Sequence, residues 1–272
     1  MKSTVRKLLP FPFLLLVFTL VMGTGVSAAE KRKLPKMIKY YAPDDELYLT
    51  TRYKYNAKGD WTTCTVKYYD SEGKLESTDK SVRKLTYYSG TNRVKKEVCE
   101  ENGGSYSYKY TYTGSGALKS SIYKKSDGTY EKTTYVSSGS RRKSSVTRDK
   151  SGKKIRASKY DKYDNVTSTT YYGEKKPRYS YKYTYKKGVM RKSVIKYPDG
   201  QTETTTYNSK GDMKKSVYKS KDSSYTYTYK YKYEGGYLKE LISYYHNEST
   251  GKKEQSGREV YTWTGKKYPV GH

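Results

Sequence analysis

The stretch Tyr179-Ser-Tyr-Lys-Tyr-Thr-Tyr185 decides the fold of this chain. Tyrosine fills every second position, and serine, lysine and threonine fill the positions between. Because successive side chains of a β-strand point to opposite faces, this period of two places all four tyrosines on one face of a strand. The same seven residues recur in the same order at 106–112, and a longer version, in which threonine or lysine separates the tyrosines, spans Tyr225–Tyr233.

Glycines that follow these copies give the length of the repeat. Gly116, Gly188 and Gly236 each follow one copy; the first two are 72 residues apart and the last two are 48 apart. Both distances are multiples of 24, so a strand with its turn takes about 12 residues and a hairpin about 24. An even number of strands then separates the copies, which gives their tyrosines the same facing. The pattern predicts an all-β antiparallel β-meander of about 12-residue strand-plus-turn units.

Four short segments carry the chemistry of tight turns. Residues 56–59, 70–73, 149–152 and 208–211 share the form Asx-x-x-Gly. The Asx side chain accepts hydrogen bonds from the backbone ahead of it, and the glycine adopts the positive φ of a hairpin bulge. A helical period of 3.6 residues is not sustained anywhere after the N-terminal apolar run.

Composition suggests a thin core. The chain is 33% hydrophobic and 15% aromatic, so tyrosine must order it where leucine would normally do so. We expect the meander to form an elongated sheet that is open or partly folded over, and the sequence leaves a more compact sandwich or closed barrel as alternatives. About 18 strands at a spacing of ~4.8 Å would make an open sheet ~85 Å long.

The N-terminus has the features of a secretory signal peptide. Lys2, Arg6 and Lys7 precede an apolar run from Leu8 to Met22. Val26-Ser-Ala28 then supplies the small residues that a signal peptidase reads.

We divide the chain into a signal peptide at 1–28, a linker at 29–47 and a β-hairpin repeat domain at 48–272. Cleavage would remove all three phenylalanines and lower the formal charge from +29 to about +26. The mature protein is predicted to be secreted or associated with the cell surface, with no transmembrane segment after signal cleavage.

The sequence shows no pattern of catalytic or metal-binding residues. Cys64 and Cys99 either pair as a disulfide or stay isolated thiols, and the sequence leaves both open. His246 and His272 add no ligand spacing to them, and His246 has no assignable nucleophile or carboxylate partner. The sequence therefore predicts no cofactor, no metal and a protein that is not an enzyme.

Several turns resemble a known repeat. Tyr69-Asp70-Ser-Glu-Gly73 resembles the tyrosine-aspartate (YD) repeat of Rhs, teneurin and wall-associated bacterial proteins. Segments 55–60 and 207–213 are similar but carry asparagine in place of aspartate, and Tyr163-Asp164-Asn165 is a poorer match that lacks the glycine. The resemblance implies successive β-hairpins, export, and a carbohydrate-binding or toxin-associated context.

The charge indicates an anionic partner. A mature charge of about +26 exceeds the ~2–8 that suffices for the solubility of a small domain, and its self-repulsion costs stability. We predict an exported, non-catalytic protein that associates electrostatically with an anionic cell-wall polymer or an acidic polysaccharide. Extracellular nucleic acid is an alternative partner, because lysines with interleaved tyrosines also suit phosphate contacts and base stacking. A YD-type carbohydrate-binding or toxin-associated module is a further alternative, and a glycan-active enzyme ranks last.

The candidate binding residues are the tyrosines of the three copies and basic residues beside them. The sequence leaves open whether the tyrosines form a core or an exposed stacking platform. The candidates are Tyr106, Tyr108, Tyr110, Tyr112, Tyr179, Tyr181, Tyr183, Tyr185, Tyr227, Tyr229, Tyr231, Lys182, Lys230, Arg141, Arg142 and Lys143.

Overall fold

A computed structural model describes residues 31–174, 177–247 and 250–269. The predicted signal peptide and His272 lie outside these residues. Among the described residues, no helix is long and apolar enough to cross a membrane.

The described residues form twenty β-strands. They are β1 (Lys31–Arg32), β2 (Pro35–Tyr41), β3 (Leu47–Tyr55), β4 (Trp61–Tyr69), β5 (Leu75–Tyr87), β6 (Val94–Glu101), β7 (Gly104–Tyr112), β8 (Leu118–Lys125), β9 (Tyr130–Ser138), β10 (Arg141–Arg148), β11 (Lys154–Tyr160), β12 (Val166–Tyr171), β13 (Tyr179–Lys186), β14 (Val189–Lys196), β15 (Thr202–Tyr207), β16 (Met213–Lys219), β17 (Ser224–Glu234), β18 (Tyr237–His246), β19 (Lys253–Trp263) and β20 (Tyr268–Pro269).

Strands β2 to β19 form a closed antiparallel barrel of 18 strands. Each strand pairs with the next, and β19 returns to pair with β2 from Arg258 opposite Tyr41 to Trp263 opposite Pro35. The all-β antiparallel meander is confirmed, but the expectation of an open or partly folded-over sheet is wrong. Closure removes both edges of the sheet, where unpaired backbone groups would otherwise remain.

The barrel also begins earlier than the sequence suggested. β1 and β2 lie inside the segment 29–47 that was interpreted as a linker, and β2 supplies the closing strand. β1 pairs with β20 in a separate two-stranded sheet.

The repeat arithmetic is confirmed by the strand numbers. The three tyrosine copies form β7, β13 and β17, which are six and four strands apart. At the predicted turns Gly59 and Gly73 have φ of 88° and 76°, and the side-chain oxygen of Asn56 accepts hydrogen bonds from the backbone NH groups of Lys58 and Asp60 at 2.9 and 3.1 Å.

The two faces of the sheet differ sharply in burial. Apart from Thr50, the buried strand residues of the described chain lie on the same face as the tyrosines of the three copies. On that face Arg156 of β11 reaches across β10 to Glu131 of β9, with nitrogen and oxygen 2.6 Å apart. Side chains converge in this way on the concave side of a closed sheet. We therefore call the tyrosine face the inner wall and the opposite face the outer wall.

The buried residues of the inner wall are mostly small or aliphatic. They are Ile38, Leu49, Thr51, Glu97, Cys99, Ser121, Ser145, Thr147, Ser193, Thr205 and Leu241.

Substitution at the closing strand tests the barrel. Ile38 is 1% exposed on β2, between Thr51 of β3 and Tyr261 of β19. We expect Ile38→Ala to lower the free energy of unfolding by about 2–4 kcal/mol, because it leaves a cavity at the seam. Urea unfolding followed by circular dichroism measures this, with Lys39→Gln on the outer wall as a control that should change it by less than about 0.5 kcal/mol. Equal stability of both variants would contradict closure through β2.

Candidate functional site

The tyrosines of the three copies line the inner wall as ladders. All eleven candidate tyrosines lie there, because each alternates with an outer-wall residue along its strand. Tyr108 and Tyr110 stack with ring centroids 5.8 Å apart, and Tyr181 and Tyr183 stack at 6.3 Å. Tyr108 also meets Tyr123 of the next strand at 5.0 Å. A cross-strand aromatic pair such as Tyr108 and Tyr123 stabilises a sheet by ~0.2–1 kcal/mol.

Tyrosine hydroxyls on the inner wall bond to the neighbouring strand. Tyr183 donates to the carbonyl oxygen of Val166 at 2.9 Å, and Tyr231 donates to that of Met213 at 2.7 Å. Other rings extend over a small residue of the preceding strand. The Tyr207 ring, for example, reaches Ser193, and the two hydroxyls lie 3.1 Å apart. The ladders therefore form much of the core of the barrel, and the polar ends of rings such as Tyr183 and Tyr231 are satisfied within the protein.

A second set of tyrosines holds the turns. Tyr185 donates to the Oδ2 atom of Asp161 at 2.6 Å and accepts from the side-chain amide of Asn165 at 2.6 Å. Tyr87 makes the same two contacts, with Asp60 at 2.6 Å and Asn56 at 2.7 Å. In each case the tyrosine comes from the strand that follows the hairpin.

A third such contact joins Tyr233 to Asp212, at 2.6 Å. We call these three contacts the tyrosine latches. The sequence did not predict these latches. One feature indicates them: a polar residue follows the positive-φ position of each turn, namely Asp60, Asn165 or Asp212.

One latch corrects the YD alignment. The turn at 161–165 is opened by Asp161, whose Oδ1 atom accepts from the backbone NH groups of Tyr163 and Asn165. Asp164 takes the position of the glycine, with φ of 63°. The Tyr-Asp pair that matches the other turns is therefore Tyr160-Asp161 and not Tyr163-Asp164.

Enclosure changes the acidity of the inner-wall tyrosines. Burial, followed by a hydrogen bond to Asp60, raises the pKa of Tyr87 to about 12. Burial and then the charge of Glu203 raise the pKa of Tyr197 to about 12. The pKa of Tyr229 is raised further by the same two causes. At neutral pH these phenols are uncharged hydrogen-bond donors.

Ion pairs are part of the same wall. The Arg83 guanidinium binds Glu97 through two bonds of 2.8 and 3.0 Å and lies over the Trp61 ring at 5.0 Å. The Tyr110 hydroxyl approaches Glu97 at 3.3 Å. The side chains of Arg83 and Glu97 are 17% and 9% exposed, so water screens this pair weakly.

Both cysteines are free thiols in the structure. Cys64 lies on β4 and Cys99 on β6, and β5 runs between them. Neighbouring strands lie about 4.8 Å apart, so the two Cα atoms are separated by more than the ~7 Å that a disulfide spans. The described residues contain no group of three or more His, Cys, Asp or Glu side chains placed to hold a metal ion.

The basic candidates do not lie together. Lys182 and Lys230 are exposed on the outer wall, and Lys230 lies over the Tyr244 ring at 5.3 Å. Arg142 instead lies over the Tyr160 ring at 4.8 Å, and its backbone NH donates to Asp164 at 2.7 Å. Its neighbours Arg141 and Lys143 stay exposed.

No protein-family model and no curated protein matches the sequence. A porin-like protein from Bacteroides uniformis is similar in structure, at 13% identity and a TM-score of 0.49, over 85% of this chain and 98% of that one. The Tc holotoxin pore of Photorhabdus luminescens is similar at 14% identity and a TM-score of 0.27, over 81% of this chain. This chain spans 13% of the length of that toxin chain. At these values neither likeness indicates a function for this chain.

The raised tyrosine pKa values predict unfolding in alkali. A tyrosine whose pKa is higher in the folded protein than the ordinary ~10 stabilises the barrel below pH ~10 and loses that contribution as pH rises through the folded value. We expect β-sheet circular dichroism to be lost above pH ~10, together with a steep rise in tyrosinate absorbance. The same protein in urea should titrate gradually near pH 10. Ordinary titration of the folded protein without loss of structure would contradict the enclosed inner wall.

The Arg83–Glu97 pair should matter most when only one partner is removed. We expect Arg83→Met to destabilise the protein by about 3 kcal/mol, because Glu97 is left buried without its cation. The double variant Arg83→Met/Glu97→Leu should recover part of this loss, and thermal unfolding of both variants measures it. If the double variant were less stable than the single one, the cost would not come from the unpaired carboxylate.

Proposed function

We propose that this protein is an exported, non-catalytic barrel that binds an anionic polymer of the cell surface through its outer wall. The observation that carries the proposal is the separation of residue types between the two walls. The tyrosines of the three copies occupy the inner wall, whereas exposed lysines such as Lys109, Lys182 and Lys230 occupy the outer wall, between serines and threonines.

The placement of the carboxylates supports the proposal. Glu97 and Glu131 pair with arginines on the inner wall. Three further ion pairs of the described chain join residues of neighbouring strands, namely Lys84–Glu100, Lys239–Glu234 and Arg258–Glu240. Basic residues outnumber acidic ones by 56 to 27, and exposed outer-wall lysines such as Lys109, Lys182 and Lys230 attract anions over a Debye length of ~8 Å at physiological salt.

The outer wall suits an aqueous surface better than lipid. Lys182 and Lys230 lie in the middle of their strands, where a membrane-embedded barrel would present its apolar band. Each lysine at the middle of a bilayer would cost about 2–4 kcal/mol. In this proposal the YD-like hairpins serve as a scaffold, and the carbohydrate-binding or toxin-associated role of such repeats is a secondary candidate.

Extracellular nucleic acid is the second candidate partner. It is favoured by Tyr244, an outer-wall ring with Lys230 at 5.3 Å and Lys253 at 4.2 Å from its centre. It is disfavoured by the inner-wall position of the long tyrosine ladders, which cannot stack on bases from outside.

Binding to washed cell envelopes tests the proposal. We expect the purified protein to sediment with envelopes at low ionic strength and to be released by moderate salt, because charges on an open surface are screened. The triple variant Lys182→Gln/Lys196→Gln/Lys230→Gln should be released at lower salt. The matched control Lys182→Arg/Lys196→Arg/Lys230→Arg keeps the charge and should behave like the unchanged protein. A protein that stays in the supernatant at low ionic strength would overturn the proposal.

A further inference from the structure

A groove of about 760 Å³ opens on the outer wall where β15, β16 and β17 meet the turn at 220–223. Its lining combines cations with hydroxyl groups. The lining residues of strands and turn are Thr204, Lys215, Val217, Lys219, Ser220, Lys221, Asp222, Ser223, Ser224 and Thr226.

The strand register forms the floor of the groove. Val217 of β16 lies opposite Thr204 of β15 on one side and opposite Thr226 of β17 on the other. Lys215 and Lys219 are the outer-wall residues two positions before and after Val217 on the same strand. Their Cα atoms are about 14 Å apart at ~3.4 Å per residue. Two lysine side chains of ~6 Å can therefore bring both ammonium groups over the floor from opposite ends.

The turn forms one end of the groove and is fixed by its own hydrogen bonds. The backbone NH of Ser220 donates to the carbonyl oxygen of Ser223 at 2.8 Å, and the two hydroxyls lie 2.7 Å apart. The NH of Ser223 donates to the hydroxyl of Ser220 at 3.0 Å. This arrangement holds Lys221 at the rim, next to Asp222, the one carboxylate of the lining.

We propose that this groove binds a phosphate group of an anionic polymer whose backbone is a base-free phosphodiester. Lysine is a compact cation that binds phosphate as a point charge. The two non-bridging oxygens of a phosphodiester carry its charge, and each can accept more than one hydrogen bond, so one phosphate group can bind two ammonium groups and a threonine or serine hydroxyl at the same time. None of the described residues that line the groove is aromatic, which favours a polymer without bases over a nucleic acid. The inference rests on the proposed function and adds the chemical class of the ligand.

The experiment compares two double variants that lose the same charge. Lys215→Gln/Lys219→Gln removes the two groove cations, and Lys132→Gln/Lys159→Gln removes two exposed outer-wall lysines of β9 and β11. Binding of poly(glycerol phosphate) and of polyglutamate to the full-length protein is measured by titration calorimetry at two salt concentrations. We expect the groove variant to bind poly(glycerol phosphate) about tenfold more weakly and the control variant less than about threefold more weakly. Both double variants should weaken the binding of polyglutamate equally. Asp222→Asn should strengthen the binding of poly(glycerol phosphate).

The possible outcomes separate this inference from the function on which it rests. Equal weakening of poly(glycerol phosphate) binding in both variants, while the unchanged protein still binds envelopes, overturns the groove and leaves the proposed function standing. Tighter binding of single-stranded DNA of equal phosphate number overturns the assignment to a base-free polymer. Loss of envelope binding in the unchanged protein overturns the proposed function itself. Circular dichroism of each variant confirms that the barrel is intact.

Discussion

Strict alternation of side chains along each strand is the constraint on which this structure depends. In an antiparallel meander, residues that lie opposite each other on neighbouring strands point to the same face. Tyr108 lies opposite Glu97 and Tyr123, so all three belong to the inner wall. Once the meander closes, the two faces become an enclosed wall and an exposed one. Tyrosine can then replace phenylalanine and leucine as core material, because its ring packs inside while its hydroxyl finds a partner.

The side chains of the inner wall pack together because large and small residues alternate across neighbouring strands. Rings such as Tyr160 and Tyr207 lie over Ser145 and Ser193, which are 4% and 9% exposed beneath them. A larger residue at these serine positions would collide with the ring and leave its hydroxyl without a partner. The latches extend the same principle to the ends of strands, where a tyrosine and a polar turn residue fix the hairpin before it. Polar groups inside the barrel are therefore used for structure, which directs attention to the outer wall for function.

Charge follows the same division. Carboxylates that face inward pair with Arg83 and Arg156 or with tyrosine hydroxyls, so they neutralise little of the outer field. The lysines outside share their strands with serine and threonine, which donate hydrogen bonds to anions without adding charge. Where the turn at 220–223 closes one end of this surface, the lysine-bearing wall forms a groove with a floor and an end.

The sequence by itself determined the strands, the 12-residue unit, the positive-φ turn glycines and the division of tyrosine and lysine between two faces. Each of these depends on neighbours within one hairpin, where a period of two and an Asx-x-x-Gly turn are sufficient signals. Only the tertiary structure decided that β2 closes the barrel against β19, that the buried residues gather on the tyrosine face, and that Tyr185 fixes the turn opened by Asp161. It also kept Cys64 and Cys99 apart by placing β5 between them. These features depend on curvature accumulated over 18 strands and on pairing between distant segments, which a local period of two does not specify.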